Sequence, residues 1–130
     1  MVSDIDEKKG EGVAEEIKKE GGKALAVAGD VTDPNYPQHI VQKAVEAFGK
    51  LTILVLNAGY TNDGMMHTMT EEQWQSMLLV HNTAPFRLVK AANPFFREAA
   101  KQEIEKDGYA HPRSIVTVSS TSGVSSTRLS

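Results

Sequence analysis

Two short apolar runs in the sequence end abruptly in small polar residues. The run over residues 51–56 leads into an Asn-Ala-Gly sequence at residues 57–59, and the run over residues 114–118 leads into a serine-rich segment at residues 119–123. Runs of this length, rich in β-branched residues and leucine, are typical of strands buried on both faces of a parallel sheet. Such sheets bind ligands outside the carboxyl ends of their strands. We therefore predict that both polar segments face one binding crevice.

Acidic residues follow two further predicted strands. Asp4 comes directly after the apolar start of the chain, and Asp30 with Val31 follows the next apolar run. Each acid also has a structural explanation. Asp4 could cap the following helix, a position for which Asp6 competes, and Asp30 could be a turn residue before Pro34.

Strands and helices alternate along the chain. We predict strands over residues 1–3, 23–28, 51–56 and 115–118, and helices over residues 7–20, 38–48 and 70–106. Thr70 and Gln73 have the spacing of a capping box, and Pro85 is expected to kink the long helix, whose apolar stripe places His81 on the buried face. The alternation predicts an α/β fold in which right-handed crossovers build a parallel sheet with helices on both faces.

Composition excludes several classes of function. With 130 residues, of which 40% are hydrophobic and 24% charged, the chain is typical of one ordinary soluble domain. The net charge of −3 is spread over segments of mixed sign, so we expect no nucleic-acid partner. No apolar run approaches the roughly 20 residues of a membrane span, and without cysteine and with four scattered histidines we expect no metal site. A cytoplasmic location is the default expectation.

In chain order, the polar strand ends resemble those of the short-chain dehydrogenase/reductase family, and within it the 3-oxoacyl-carrier-protein-reductase-like members. The resemblance rests on Asp4, on Asp30-Val31, and on the segments 57–59 and 119–123. Each motif is weak alone, but four in the family's order are specific. The resemblance implies an incomplete, Rossmann-like, doubly wound parallel sheet over residues 1–123, built from the family's second to fifth strands. Residues 124–130 would be a disordered tail.

The resemblance implies a nicotinamide dinucleotide as cofactor. Asp4 would accept hydrogen bonds from both ribose hydroxyls of the adenosine, and its charge would repel a 2′-phosphate, which favours NAD over NADP. Asp30, with Val31 beside it, would meet the adenine edge. The wall of the adenosine and nicotinamide crevice would be formed by Asn57, Ala58 and Gly59. A plain strand-to-loop turn also explains that segment.

Two residues carry the implied catalysis, a hydride transfer between the nicotinamide and a carbonyl or secondary alcohol. Ser120 resembles the family's catalytic serine, whose hydroxyl hydrogen-bonds the substrate oxygen, although an ordinary turn residue is the alternative. His81 lies where most members have the asparagine of the catalytic tetrad. An imidazole both donates and accepts hydrogen bonds, so it could support the proton relay, while a hydrogen-bonded core histidine is the alternative.

Several parts of the family pattern are missing from the sequence. It contains neither the glycine-rich Gly-x-x-x-Gly-x-Gly turn, which cradles the pyrophosphate, nor the Tyr-x-x-x-Lys pair, whose tyrosine is the general acid/base. The family's strands lie in the order 3-2-1-4-5, and the first strand is not in this sequence. The sheet would therefore lack its middle strand, and the two halves would either pair directly or keep unpaired edges. We therefore expect a chain that is inactive as an enzyme on its own.

Two alternatives to an inactive enzyme remain open. The chain could be a non-catalytic module that associates with full-length family members, or a piece of a longer gene product. The helix over residues 70–106 is the expected surface for such association and for a homo-oligomer.

Overall fold

The computed structural model describes residues 1–62 and 64–120. The tail predicted for residues 124–130 lies outside this part of the chain. The strands are β1 (Val2–Asp4), β2 (Ala26–Ala28), β3 (Ile53–Leu56) and β4 (Ser114–Thr117), and the helices are α1 (Glu7–Lys19), α2 (Tyr36–Phe48), α3 (Glu71–Leu78) and α4 (Ala84–Asp107). A π-helical turn, Leu79–Thr83, joins α3 to α4. The alternating α/β order is confirmed.

The strands form two separate parallel pairs. Ser3 of β1 lies opposite Val27 of β2, and Val55 of β3 lies opposite Val116 of β4. Within residues 1–62 and 64–120, no ladder joins the β1–β2 pair to the β3–β4 pair. Of the two arrangements that the sequence allowed, the structure therefore has the one in which β1 and β3 keep unpaired edges.

The core is small and has two parts: α2 packs against α4, which contacts β3, and α1 packs on the β1–β2 pair. Its buried apolar residues are Ala14, Tyr36, Ile40, Val41, Ala44, Leu56, Val80, Ala84 and Ala92. Every residue of β4 is exposed. The prediction that the strands are buried on both faces is therefore wrong for β3 and β4, because the described helices leave one face of β3, with Ile53 and Val55, and both faces of β4 exposed. Of the helices in the described part of the chain, none is long and apolar enough to cross a membrane.

The helix ends confirm the predicted caps. The Asp6 carboxylate accepts a hydrogen bond from the Lys9 N–H at 3.2 Å and caps α1. Thr70 and Gln73 form a complete capping box at the start of α3, with distances of 2.9 and 3.2 Å. Gly49 ends α2 with a φ of 76°, a conformation that glycine adopts without strain.

The π-helical turn changes the face on which His81 lies. Pro85 has no N–H to donate, and the N–H of Ala84 bonds to the carbonyl of Leu79, five residues earlier. Such a turn inserts one extra residue and rotates the side chains within it. Val80 and Ala84 are consequently buried, whereas His81 is exposed. The prediction that His81 faces the core is wrong for this reason.

Candidate functional site

One cleft of about 640 Å³ is lined by the whole length of β3 and by Ser3 and Asp4 of β1, and it takes in the carboxyl ends of β1, β2 and β3. All the residues predicted to bind a cofactor line it, namely Asp4, Asp30, Val31, Asn57, Ala58 and Gly59. Apolar side chains from the helices below, among them Ile40 and Leu88, also line the cleft. The structure thus brings together six residues that are as many as 55 positions apart in the sequence.

A second cleft of about 450 Å³ adjoins the first through segment 57–59, which lines both. His81 and Ser120, the two predicted catalytic residues, line this second cleft together with Ser119. Ser119 had no role in the sequence analysis. Two polar groups from distant elements therefore share a cavity directly beside the cleft that contains the acidic strand ends.

Asp4 is oriented by the backbone that follows it. Its Oδ1 accepts a hydrogen bond from the Asp6 N–H at 2.8 Å, which forms a local turn. The side chain that caps α1 is that of Asp6, so the capping explanation for Asp4 does not hold. A carboxylate held by one N–H keeps most of its acceptor capacity. Asp4 is therefore an exposed, oriented acceptor at the end of β1.

Asp30 has a structural role in its own loop. Its Oδ1 accepts hydrogen bonds from the N–H of Thr32 at 2.8 Å and from the Thr32 hydroxyl at 2.7 Å. The carbonyl of Thr32 in turn accepts a hydrogen bond from Arg87 of α4 at 3.2 Å. The turn explanation for Asp30 is correct for one carboxylate oxygen, and the same residue lines the large cleft.

His81 contacts the backbone that follows β3. Its Nε2 lies 2.9 Å from the Tyr60 carbonyl oxygen. Because a carbonyl only accepts, Nε2 donates this bond, and Nδ1 of the neutral ring is left as an acceptor. A Cβ added to Gly59 would lie 2.8 Å from Cε1 of His81. Gly59 thus lets the imidazole approach the strand end, and the exposed ring is not a core histidine.

Tyr36 is a site residue to which the sequence analysis gave no role. It is 6% exposed and lines the large cleft. Its hydroxyl lies 2.9 Å from the Val27 carbonyl oxygen and 2.7 Å from the Ser3 hydroxyl. Burial raises the pKa of Tyr36, against the opposing effect of the hydrogen bond with Ser3. The sequence feature that could have identified Tyr36 is an aromatic residue at the start of the helix that follows Asp30.

Parallel strands with helical crossovers, whose acidic and small polar ends meet at one cleft, define the class of Rossmann-like nucleotide-binding domains. Within that class, residues 1–129 match the family profile described as short chain dehydrogenase. The chain belongs to the short-chain dehydrogenase/reductase family. The predictions of an oxidoreductase family and a partial Rossmann-like fold are confirmed.

Individual relatives agree with this assignment. The chain is 36% identical over 124 residues to 2,5-dichloro-2,5-cyclohexadiene-1,4-diol dehydrogenase LinX of Sphingobium indicum. The aligned residues cover 95% of this chain and 45% of that protein. A crystal structure of a short chain dehydrogenase from Mycobacterium avium superimposes with a TM-score of 0.78 at 31% identity, over 94% of this chain and 44% of that one.

A third relative was solved with a cofactor. A metagenomic short-chain oxidoreductase in complex with NADP superimposes with a TM-score of 0.76 at 27% identity, over 93% of this chain and 50% of that one. The chain therefore spans about half the length of the relatives that it matches.

Proposed function

We propose that this chain forms the NAD-binding part of an oxidoreductase that moves hydride between a nicotinamide and a carbonyl or secondary alcohol. The observation that carries the proposal is the convergence of Asp4, Asp30 and segment 57–59 on one cleft, next to the cavity lined by His81 and Ser120. Membership of the short-chain dehydrogenase/reductase family supports the same reaction class.

The hydrogen-bond acceptors that line the large cleft fit the adenosine part of a dinucleotide. Asp4 offers carboxylate lone pairs to the two ribose hydroxyls, and Asp30 offers them to the adenine edge. The negative charge of Asp4 opposes a 2′-phosphate, so we propose NAD rather than NADP. The metagenomic relative was solved with NADP. The choice between NAD and NADP therefore needs a direct test in this chain.

The small cavity provides the proton-handling groups. The bound cofactor would supply the hydride, and the protein groups would orient the substrate and hold protons. The Ser120 hydroxyl would donate a hydrogen bond to the substrate oxygen. The Nδ1 atom of His81 would accept a hydrogen bond, since its Nε2 is engaged with Tyr60.

Turnover needs an acid/base group that the sequence does not contain. No tyrosine has a lysine four residues later, so we expect no turnover by the 130-residue chain alone. The 3-oxoacyl substrate and the cytoplasmic location remain predictions from the sequence.

Substitution of Asp4 by Asn tests the proposed cofactor site. The variant keeps the shape of the side chain and removes its charge, so we expect the affinity for NADH to fall about tenfold, as for loss of one charge-assisted hydrogen bond. The preference for NADH over NADPH should shrink with it. Both dissociation constants are measured from nicotinamide fluorescence. Asp107→Asn, at the end of α4, is the matched control, and equal NADH affinity in wild type and Asp4→Asn would contradict the proposal.

A further inference from the structure

We propose that Tyr36 is a positioning residue that sets the placement of Asp4 and Asp30 in the large cleft and thereby the selectivity for the adenosine ribose. The inference rests on the proposed dinucleotide site. It follows from one side chain of α2 that contacts the residue immediately before each of the two acids.

The first contact joins β1 to β2 through the Tyr36 hydroxyl. The Val27 carbonyl only accepts, so Tyr36 donates to it at 2.9 Å, and the Ser3 hydroxyl then donates to Tyr36 at 2.7 Å. Ser3 and Val27 are paired across the β1–β2 ladder. The hydroxyl therefore fastens both strands at one level, one residue before Asp4.

The second contact is between the aromatic ring and Gly29, which precedes Asp30. A Cβ added to Gly29 would overlap the Tyr36 ring. The Gly29 N–H also donates to the Asp4 carbonyl at 3.0 Å, so the ends of the two strands are joined there as well. Glycine is thus needed at this position for the ring to pack against the end of β2.

The state of the Tyr36 hydroxyl suits a fixed structural bond better than proton transfer. The side chain is 6% exposed, and burial raises its pKa, which favours the protonated hydroxyl. Its proton is committed to the Val27 carbonyl. Tyr36 therefore acts through the placement of Asp4 and Asp30.

Tyr36→Phe removes the hydroxyl and keeps the ring. We expect the dissociation constant for NADH to rise about tenfold, the effect of one orienting hydrogen bond, while that for NADPH changes less than about twofold. The two cofactors differ because a ribose with a 2′-phosphate cannot offer both hydroxyls to Asp4. The readout is thus the ratio of the two dissociation constants, beside a thermal melt. Tyr109→Phe, an exposed tyrosine that lines neither cleft, should leave the ratio unchanged.

Ser3→Ala gives a second, milder test if Tyr36→Phe fails to fold. It removes the exposed partner hydroxyl and should lower the ratio of the NADPH dissociation constant to the NADH dissociation constant. The double variant should lower this ratio no further than Tyr36→Phe alone. An equal loss of NADH and NADPH affinity together with a lower melting temperature would show a merely structural role and overturn the inference. An unchanged ratio in well-folded Tyr36→Phe would also overturn it. Absence of NADH binding by the wild type would instead defeat the proposed function on which the inference rests.

Discussion

A single carboxylate joins the end of α4 to the segment that leads into β4. Glu103 Oε1 lies 2.8 Å from Arg113 Nη2, and Glu103 Oε2 lies 3.0 Å from Arg113 Nη1 and 2.8 Å from the backbone N of His111. This two-pronged pairing is the strong form of an arginine–carboxylate bond, and the Arg113 side chain is only 11% exposed. The hydrogen bonds from Arg113 and His111 lower the pKa of Glu103.

The lowered pKa of Glu103 predicts a pH-dependent contribution to stability. A carboxyl whose pKa is depressed on folding stabilises the protein above its unfolded pKa of about 4.3, and the stabilisation is lost as the pH falls through the folded value. Glu103→Gln should therefore melt at a lower temperature than wild type at pH 7, with the difference shrinking toward pH 3. Glu105→Gln on the same helix is the control. A constant difference at every pH would contradict the expectation.

Gly59 should be intolerant of even a methyl group. Alanine there would place Cβ 2.8 Å from Cε1 of His81, so the imidazole must move away from the Tyr60 carbonyl. We expect Gly59→Ala to shift the His81 ring signals in NMR spectra and to weaken NADH binding. Gly64→Ala is the matched control, because nothing lies within 4 Å of a Cβ at that position. Identical His81 signals in wild type and Gly59→Ala would show that the contact is not formed.

At the scale of elements, the α3 cap offers a direct test. The Thr70 side chain accepts from the Gln73 N–H, and the Gln73 side chain accepts from the Thr70 N–H. Thr70→Ala should lower the free energy of unfolding by about 1 kcal/mol, measured by urea denaturation. Thr70→Ser keeps a hydroxyl and should retain most of the stability. Equal loss in both variants would mean that the methyl group, and not the cap, stabilises this end.

Helix ends were predictable from the sequence, but the π-helical turn was not. Caps depend on residues three or four positions apart, such as Thr70 with Gln73, so their signals are local. The π-helical turn depends on how Pro85 and its missing N–H combine with the packing of Val80 and Ala84 against other elements. A uniform period of 3.6 residues carries no such information, and His81 was therefore placed on the wrong face.

At the scale of the molecule, strand order determined what could be foreseen of the site. Parallel strands end at the same edge of a sheet, so Asp4, Asp30 and segment 57–59 could be predicted to meet. The contact of Tyr36 with Ser3 spans 33 residues and arises only when α2 packs beneath the strands. Burial of β3 and β4 was overestimated, because burial depends on which layers cover a strand and not on its composition alone.

The helical surface of α3 and α4 should mediate association between copies of this chain. Trp74, Phe86 and Ile104 are each at least half exposed there, at 50%, 64% and 52%. We expect a concentration-dependent increase in sedimentation coefficient that Phe86→Glu reduces. Val55→Glu, on the unpaired edge of β3, is the comparison variant. If only Val55→Glu reduced association, the sheet edge and not the helical surface would be the interface.

The most direct test of the central claim is a titration of the purified chain with NADH, followed by nicotinamide fluorescence beside a thermal melt. A cleft formed by the strand ends predicts saturable binding, with a stabilisation of about 2.7 kcal/mol at a ligand concentration 100 times the dissociation constant. The melting temperature should rise accordingly. A fluorescence signal that does not saturate, together with an unchanged melting temperature, would contradict the proposal that this chain holds a dinucleotide.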